Sequence, residues 1–353
     1  MALPSSPNRT SVQRSLVVTP AVVAHRGASG VRPEHTLAAY RTAIRRGVDD
    51  VELDLVPTRD GVLVARHDVE LSATTDVADH PELAHLRTTK VVDGREETGW
   101  FVEDLTLAEV KRLGARERSP HARPGSARHD GREGVATLTE VLAAVRAESV
   151  LRGREVGVVL EIKHAARAEA LGLPVEERLL ADLRRYGLDH PRARVTLMSF
   201  ETTVLRNLAR MTRLPLVQLL DRPDRRPADL AAAGDPTTYA DLASPEGLAL
   251  LDEYADGIGA HKELVLPRDA SGATTGPSSL VRDAHRQWLT VHVWTLRAEN
   301  RFLPRELRSA GGPDDHGDLL GEARAFLDAG VDGLICDHPE VALAARAEQL
   351  ARA

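Results

Sequence analysis

Four segments of this chain end a run of β-forming residues with groups able to move a proton, hold a cation or hold an anion. Ala21-Val22-Val23-Ala24 runs into His25-Arg26-Gly27, and Val51-Glu52-Leu53-Asp54-Leu55 carries two carboxylates. Leu160-Glu161-Ile162-Lys163 carries a carboxylate and an ammonium, and Val291-His292-Val293-Trp294-Thr295 ends in an indole. Residues i and i+2 of a strand share a face, so Glu52 points with Asp54 and Glu161 with Lys163. If the strands that carry them are neighbours, about 4.8 Å apart, the three carboxylates converge. Ionised together they repel and raise one another's pKa values. A hard divalent cation relieves this, and all-oxygen ligation points to Ca²⁺ or Mg²⁺ rather than zinc. The single cysteine, Cys336, excludes both a thiolate zinc cluster and an internal disulfide.

Asp60-Gly61 is a hairpin signal between Glu52–Val56 and Val62–Ala65. With those two residues as the turn, His67 is set directly opposite Asp54. His25 reaches the same rim from the neighbouring strand. Two histidines beside a metal–carboxylate cluster suit a general base and a general acid, because imidazole titrates nearest neutral pH. Arg26 and Lys163 add fixed positive charge for an oxyanion, phosphate above all. With 14 histidines in the chain a lone one says little. The weight comes from their joint occurrence with carboxylates and cations at strand ends.

Such groups need a frame that gathers strand ends. Strand patterns at Ala21–His25, Asp50–Leu55, Val156–Ile162, Val195–Ser199, Pro215–Leu220, Gly257–Ala260, Leu289–Thr295 and Gly333–Cys336 alternate with helical ones. The helical patterns fall at Thr36–Arg46, Val175–Tyr186, Thr202–Met211, Pro245–Tyr254, Ser278–Arg286, Gly321–Ala329 and Pro339–Ala351. This α/β alternation predicts a TIM (β/α)8 barrel, whose catalytic groups sit at the C-terminal strand ends. An open doubly wound sheet is the competing arrangement. The connection from Asp68 to Arg154 far exceeds the roughly 2–6 residues of a βα loop. It holds helical patterns at Leu105–Leu113 and Thr137–Ala147 and a soft tract, Ala115–Gly134. The expected organisation is a flexible extension over residues 1–19 and one barrel domain over 20–350. That domain includes an insertion, 69–154, between strands 2 and 3, with the soft tract mobile.

Composition narrows the partners. Lys+Arg number 46 against 53 Asp+Glu, a net charge of −7 that gives no electrostatic footprint for nucleic acid or an anionic membrane. No stretch approaches the roughly 18–20 apolar residues of a spanning helix. The apolar run Leu16–Val18 is too short for the roughly 7–15 residues of a secretory h-region. As written, the chain is expected in the cytoplasm, without stable membrane association; oligomeric state is open.

Together these segments resemble the glycerophosphodiester phosphodiesterase family. Val23-Ala24-His25-Arg26-Gly27-Ala28-Ser29-Gly30 and Pro33-Glu34-His35-Thr36 are similar to its opening motif. Glu52-Leu53-Asp54, Thr58-Arg59-Asp60-Gly61, His67-Asp68 and Glu161-Ile162-Lys163 are similar to its following blocks. Trp294-Thr295 and the stretch from Gly330 to Pro339 resemble its closing ones, with Cys336 where Thr is commoner. The long insertion, Val217-Gln218-Leu219-Leu220, Tyr254–Gly259 and Arg297 fit the long form usual in the bacterial periplasm, a setting at odds with the absent export pattern.

The resemblance implies a TIM barrel that hydrolyses glycerophosphodiesters, such as glycerophosphocholine and glycerophosphoethanolamine, to sn-glycerol 3-phosphate and an alcohol. It implies His25 and His67 as the acid–base pair, Glu52, Asp54 and Glu161 as ligands of one divalent cation, and Arg26 and Lys163 on the phosphate. Trp294 would line the glycerol pocket. Glu34 would act near the site, orienting either substrate or a histidine. The alternatives are a lipid-directed phosphodiesterase on the same barrel, of phospholipase D or phosphatidylinositol phospholipase C type, and a non-catalytic phosphodiester-binding barrel.

Overall fold

The computed structural model describes residues 19–352. Most of the expected extension, 1–18, therefore lies outside the described residues. Eleven strands are formed among the described residues: β1 (Ala21–Ala24), β2 (Asp50–Pro57), β3 (Leu63–Ala65), β4 (Thr88–Val92), β5 (Arg95–Gly99) and β6 (Gly157–Ile162) in the first half. The second half adds β7 (Val195–Ser199), β8 (Leu216–Leu220), β9 (Gly257–His261), β10 (Thr290–Leu296) and β11 (Gly333–Cys336). Eight of them run parallel in the order β1, β2, β6, β7, β8, β9, β10, β11, and β11 pairs back onto β1. The sheet closes, as a TIM barrel does, and the open-sheet competitor is excluded.

Local rules account for the elements. Helix Leu37–Arg46 starts where the Thr36 side chain accepts the Ala39 N–H, and ends where Gly47 adopts φ +107°. A Cβ is tolerated poorly in that left-handed conformation, so the helix stops there. Helix Leu138–Arg152 opens with a Thr137/Glu140 capping box and ends at Gly153 in the same left-handed way. Inside the barrel, Val23, Val159, Met198, Val217, Leu219 and Ile335 form a small core. A larger core fills the space between barrel and helices, and Cys336 is fully buried in it.

The insertion has a core of its own. Val69, Leu71, Val77, Leu83, Trp100, Phe101, Leu105 and Val110 pack on Val56 and Val64, the outward side chains of the β2–β3 hairpin. Helix Leu138–Arg152 instead contributes Leu138, Val141, Leu142 and Val145 to the barrel's core. The expected helix Leu105–Leu113 is only Leu107–Val110, and the exposed hairpin β4–β5 turns at Asp93-Gly94.

Two expectations need correction. The tract Ala115–Gly134, read as mobile, is folded against the barrel: Ser126 is fully buried, Pro124–Ala127 is helical, and Arg118 and Arg123 make the ion pairs described below. The β2–β3 register also differs by one residue. Leu55 pairs with Ala65 and Pro57 with Leu63, so the Arg66 N–H donates to the Asp54 carbonyl oxygen and His67 lies one place further on. The turn is longer than two residues because the Thr58 N–H donates to the Val62 carbonyl and the Val62 N–H to the Thr58 hydroxyl.

Candidate active site

The register between β2 and β6 places Asp54 directly beside Glu161, and Glu52 shares the face of Asp54. One carboxylate oxygen from each of Glu52, Asp54 and Glu161 lies within 4.8 Å of the others, and all three side chains are buried. Glu52 Oε2 accepts the Arg26 N–H at 2.8 Å. That contact depends on the turn after β1, where Arg26 (φ +56°) and Gly27 (φ +83°) are both left-handed. At Gly27 a Cβ would lie 2.6 Å from the Ala39 carbonyl carbon, so only glycine fits.

Two cations face the triad. The Arg26 side chain reaches Asp54 Oδ2 at 3.0 Å, and Lys163 Nζ lies 2.6 Å from Glu161 Oε1 and 3.5 Å from Asp54 Oδ1. Glu52 Oε1 and Asp54 Oδ1 remain buried with no hydrogen-bond partner. Burial and the neighbouring carboxylates push the Glu52 pKa well up and that of Glu161 up to about 8. Asp54 is buried too, but Lys163, Arg26 and a hydrogen bond from His35 hold it well down. Buried, unpartnered hard oxygens in a like-charged triad fit a divalent cation.

His25 and His67 both stand at this rim. His25 Nδ1 lies 2.6 Å from Asp337 Oδ1, and His67 Nδ1 lies 2.5 Å from Asp68 Oδ1. Burial, assisted by Arg26, pushes His25 down to about 4. His67 keeps about a third of its side chain exposed, yet desolvation in the crowded site, then Arg26 and Lys163, push it down to about 3. Both shifts favour the neutral imidazole while no anion occupies the site. Each gives its Nδ1–H to an ionised aspartate, which leaves Nε2 as the atom free to take a proton.

Glu34 touches neither histidine. It accepts from Arg26 at 3.1 and 3.2 Å and from Arg118 at 2.8 and 3.0 Å, so it is the anchor of two arginines. Trp294 is half-buried at the mouth of the barrel; its indole N–H donates to the Gly259 carbonyl, and its ring stands edge-on to Phe200 at 5.3 Å. Lys163 lies over the same Phe200 ring.

Sequence reasoning missed several neighbours. Asp337 follows β11 directly and Asp68 follows His67, so the strand-end argument could have found both. His35 joins Asp54 to the Tyr40 hydroxyl from a left-handed position that only its motif marks. Arg118 and Arg123 carry no signal among the chain's 42 arginines, the 46 basic residues less four lysines.

The sequence profile of the glycerophosphoryl diester phosphodiesterase family matches residues 25–341, nearly the whole chain, including both histidines and all three carboxylates. The chain belongs to this family. It is accordingly a phosphoric diester hydrolase. A glycerophosphodiester phosphodiesterase of Arabidopsis thaliana is 33% identical over 350 residues, 95% of this chain and 88% of the relative. One of Bacillus subtilis is 33% identical over 251 residues, 69% of this chain and 74% of the relative. Among solved structures, an Oleispira antarctica phosphodiesterase in complex with the product sn-glycerol-3-phosphate superposes with a TM-score of 0.60 at 21% identity. That match covers 92% of this chain and 96% of the other, and it bears on the fold alone.

Proposed function

We propose that this enzyme hydrolyses glycerophosphodiesters, such as glycerophosphocholine and glycerophosphoethanolamine, to sn-glycerol 3-phosphate and an alcohol, with His25 and His67 as the acid–base pair. The observation that carries the reading is the pair of His–Asp couples beside a buried carboxylate triad and two cations. The product seen on the Oleispira antarctica relative is the one expected here.

Glu52, Asp54 and Glu161 would hold one divalent cation, Ca²⁺ or Mg²⁺, which supplies Lewis-acid charge for a phosphate oxygen. Arg26 and Lys163 meet the remaining charge on the phosphoryl oxygens. One histidine takes the proton of the attacking hydroxyl or water at Nε2. The other, which takes up a proton at Nε2 as the anionic phosphodiester enters the site, gives that proton to the departing alcohol oxygen. Asp68 and Asp337 keep both rings in the tautomer this requires. Trp294, braced by Phe200, lines the glycerol pocket, and Glu34 holds Arg26 against the phosphate.

His25→Ala and His67→Ala are the test, each assayed on glycerophosphocholine with added Ca²⁺ or Mg²⁺ and coupled detection of glycerol 3-phosphate. Each is expected to lose about 10²–10⁴-fold in kcat. Near-wild-type turnover in either removes that residue from the acid–base pair, and full activity in EDTA removes the cation.

A further inference from the structure

We propose that Arg118 and Arg123, both supplied by the insertion, are positioning residues for the two histidines, so that the active site is complete only with this segment docked. The inference rests on the acid–base reading of His25 and His67.

The same wiring occurs twice. Asp337 accepts from His25 Nδ1 through Oδ1 and from Arg123 Nη2 through Oδ2 at 2.6 Å. Asp68 accepts from His67 Nδ1 through Oδ1 and from Arg118 Nη1 through Oδ2 at 2.6 Å. Each arginine then spends its remaining donors on a second anchor. Arg123 donates Nε to Glu299 at 2.6 Å and Nη1 to the Ser29 carbonyl at 3.1 Å. Arg118 forks onto Glu34 through Nε and Nη2. Asp337 has one further cation, Arg297, at 3.1 Å.

A planar fork that spans two carboxylates fixes the rotamer of each, which a lysine's single ammonium does not do. Fixing the aspartate fixes the imidazole: its Nδ1–H stays donated, and Nε2 stays where the proton must move. The two arginines are five positions apart on one segment, joined by a turn in which the Arg123 N–H donates to the Ser119 carbonyl at 2.8 Å. Ser126 is buried in the helical turn that follows, Pro124–Ala127. One short stretch of chain thereby sets both ends of the proton path.

The test uses the full chain at saturating Ca²⁺ or Mg²⁺. Arg118→Ala and Arg123→Ala are assayed on glycerophosphocholine, with thermal melts and NMR of the strongly hydrogen-bonded imidazole Nδ1–H protons. Arg123→Ala should lower kcat by about tenfold to a hundredfold with KM unchanged, and should abolish the His25 Nδ1–H signal while sparing that of His67. Arg118→Ala should do the converse to the two signals. It should also raise KM, because Arg118 shares Glu34 with Arg26. Arg→Lys at either position should recover little.

A cavity of about 730 Å³ borders Arg123, so added guanidinium can reach the vacated place and should restore the kcat of Arg123→Ala, where ammonium at equal concentration should not. Wild-type kcat with both signals intact overturns the inference. So does a fall in kcat with both signals lost together and no guanidinium rescue, which is what a merely structural role would give. If His25→Ala and His67→Ala keep their activity, the acid–base reading itself fails. If they are inactive while both arginine variants turn over normally, only the positioning role fails.

Discussion

Glu52 is the residue at which the proposed chemistry and stability pull hardest against each other. Two unit charges 4.8 Å apart repel by about 3.5 kcal/mol at an effective dielectric of about 20. Asp54 is such a neighbour and Glu161 becomes a second when it ionises, while the close hydrogen bond to Glu52 is from the Arg26 N–H. It can escape by taking up a proton, at a cost at pH 7 bounded by 1.36 × (7 − 4.5), about 3.4 kcal/mol, from its ordinary value of 4.5. Protonation is the escape, so the penalty on the metal-free protein here is capped at about 3.4 kcal/mol at pH 7. Glu52→Gln has the same shape, keeps an oxygen for the Arg26 N–H and removes the charge.

The variant should therefore be more stable than the wild type in EDTA at pH 7, by up to about 3 kcal/mol, and much less active. The sign with pH follows from the raised pKa. Between 4.5 and the folded value the native state binds more protons than the unfolded one, so wild-type stability falls as pH rises and the gap to the variant widens. Near pH 4.5 the gap should close. Urea titrations in EDTA at pH 5, 6 and 7 measure it, and Ca²⁺ or Mg²⁺ should then raise the wild-type midpoint far more than that of the variant. A Glu52→Gln protein that is equal to or less stable than wild type at pH 7 in EDTA would refute the reasoning.

Other outcomes follow from the packing. Arg66 is fully buried and donates to the carbonyls of Ala65, Thr74 and Glu34, so Arg66→Met should cost about 3 kcal/mol or more in urea unfolding by leaving them unpaired. Lys262 and Glu322 form a buried pair at 2.7 Å. Lys262→Met should cost about 3 kcal/mol, and adding Glu322→Leu should recover much of it, read as a double-mutant cycle. Trp294→Ala should raise KM about tenfold for glycerophosphocholine with a smaller change in kcat, the pattern of a binding surface.

Much of this was legible in the residues because strand alternation is a strict code. Glu52 and Asp54 had to share a face, and the neighbour pairing of Asp54 with Glu161 needed only the usual order of a barrel. The hairpin was legible to within one residue. Its turn is set by Thr58, whose hydroxyl and N–H both close the loop, and a side chain that mimics backbone leaves no trace in an Asp-Gly count. That slip exchanged Arg66 for His67 opposite Asp54. The insertion was the least legible part. Its hairpin at Asp93-Gly94 carries the same turn signal as Asp60-Gly61, but the flanks Thr88–Val92 and Arg95–Gly99 are mostly polar and exposed. Arg118 and Arg123 lie in a tract with no period at all, so only tertiary packing shows where their guanidinium groups go.

The contact between His25 and Asp337 spans 312 positions of chain and joins the first barrel strand to the end of the last. On a ribosome the first of these groups emerges early and the second almost at the end of synthesis. A nascent chain can thus gather Glu52, Asp54 and Glu161 well before it owns a complete proton path. On the proposed acid–base chemistry, catalysis would switch on only when the final strand seals the cylinder, and turnover would report closure directly. Chains halted after β10 should hold a divalent cation yet leave phosphodiesters intact.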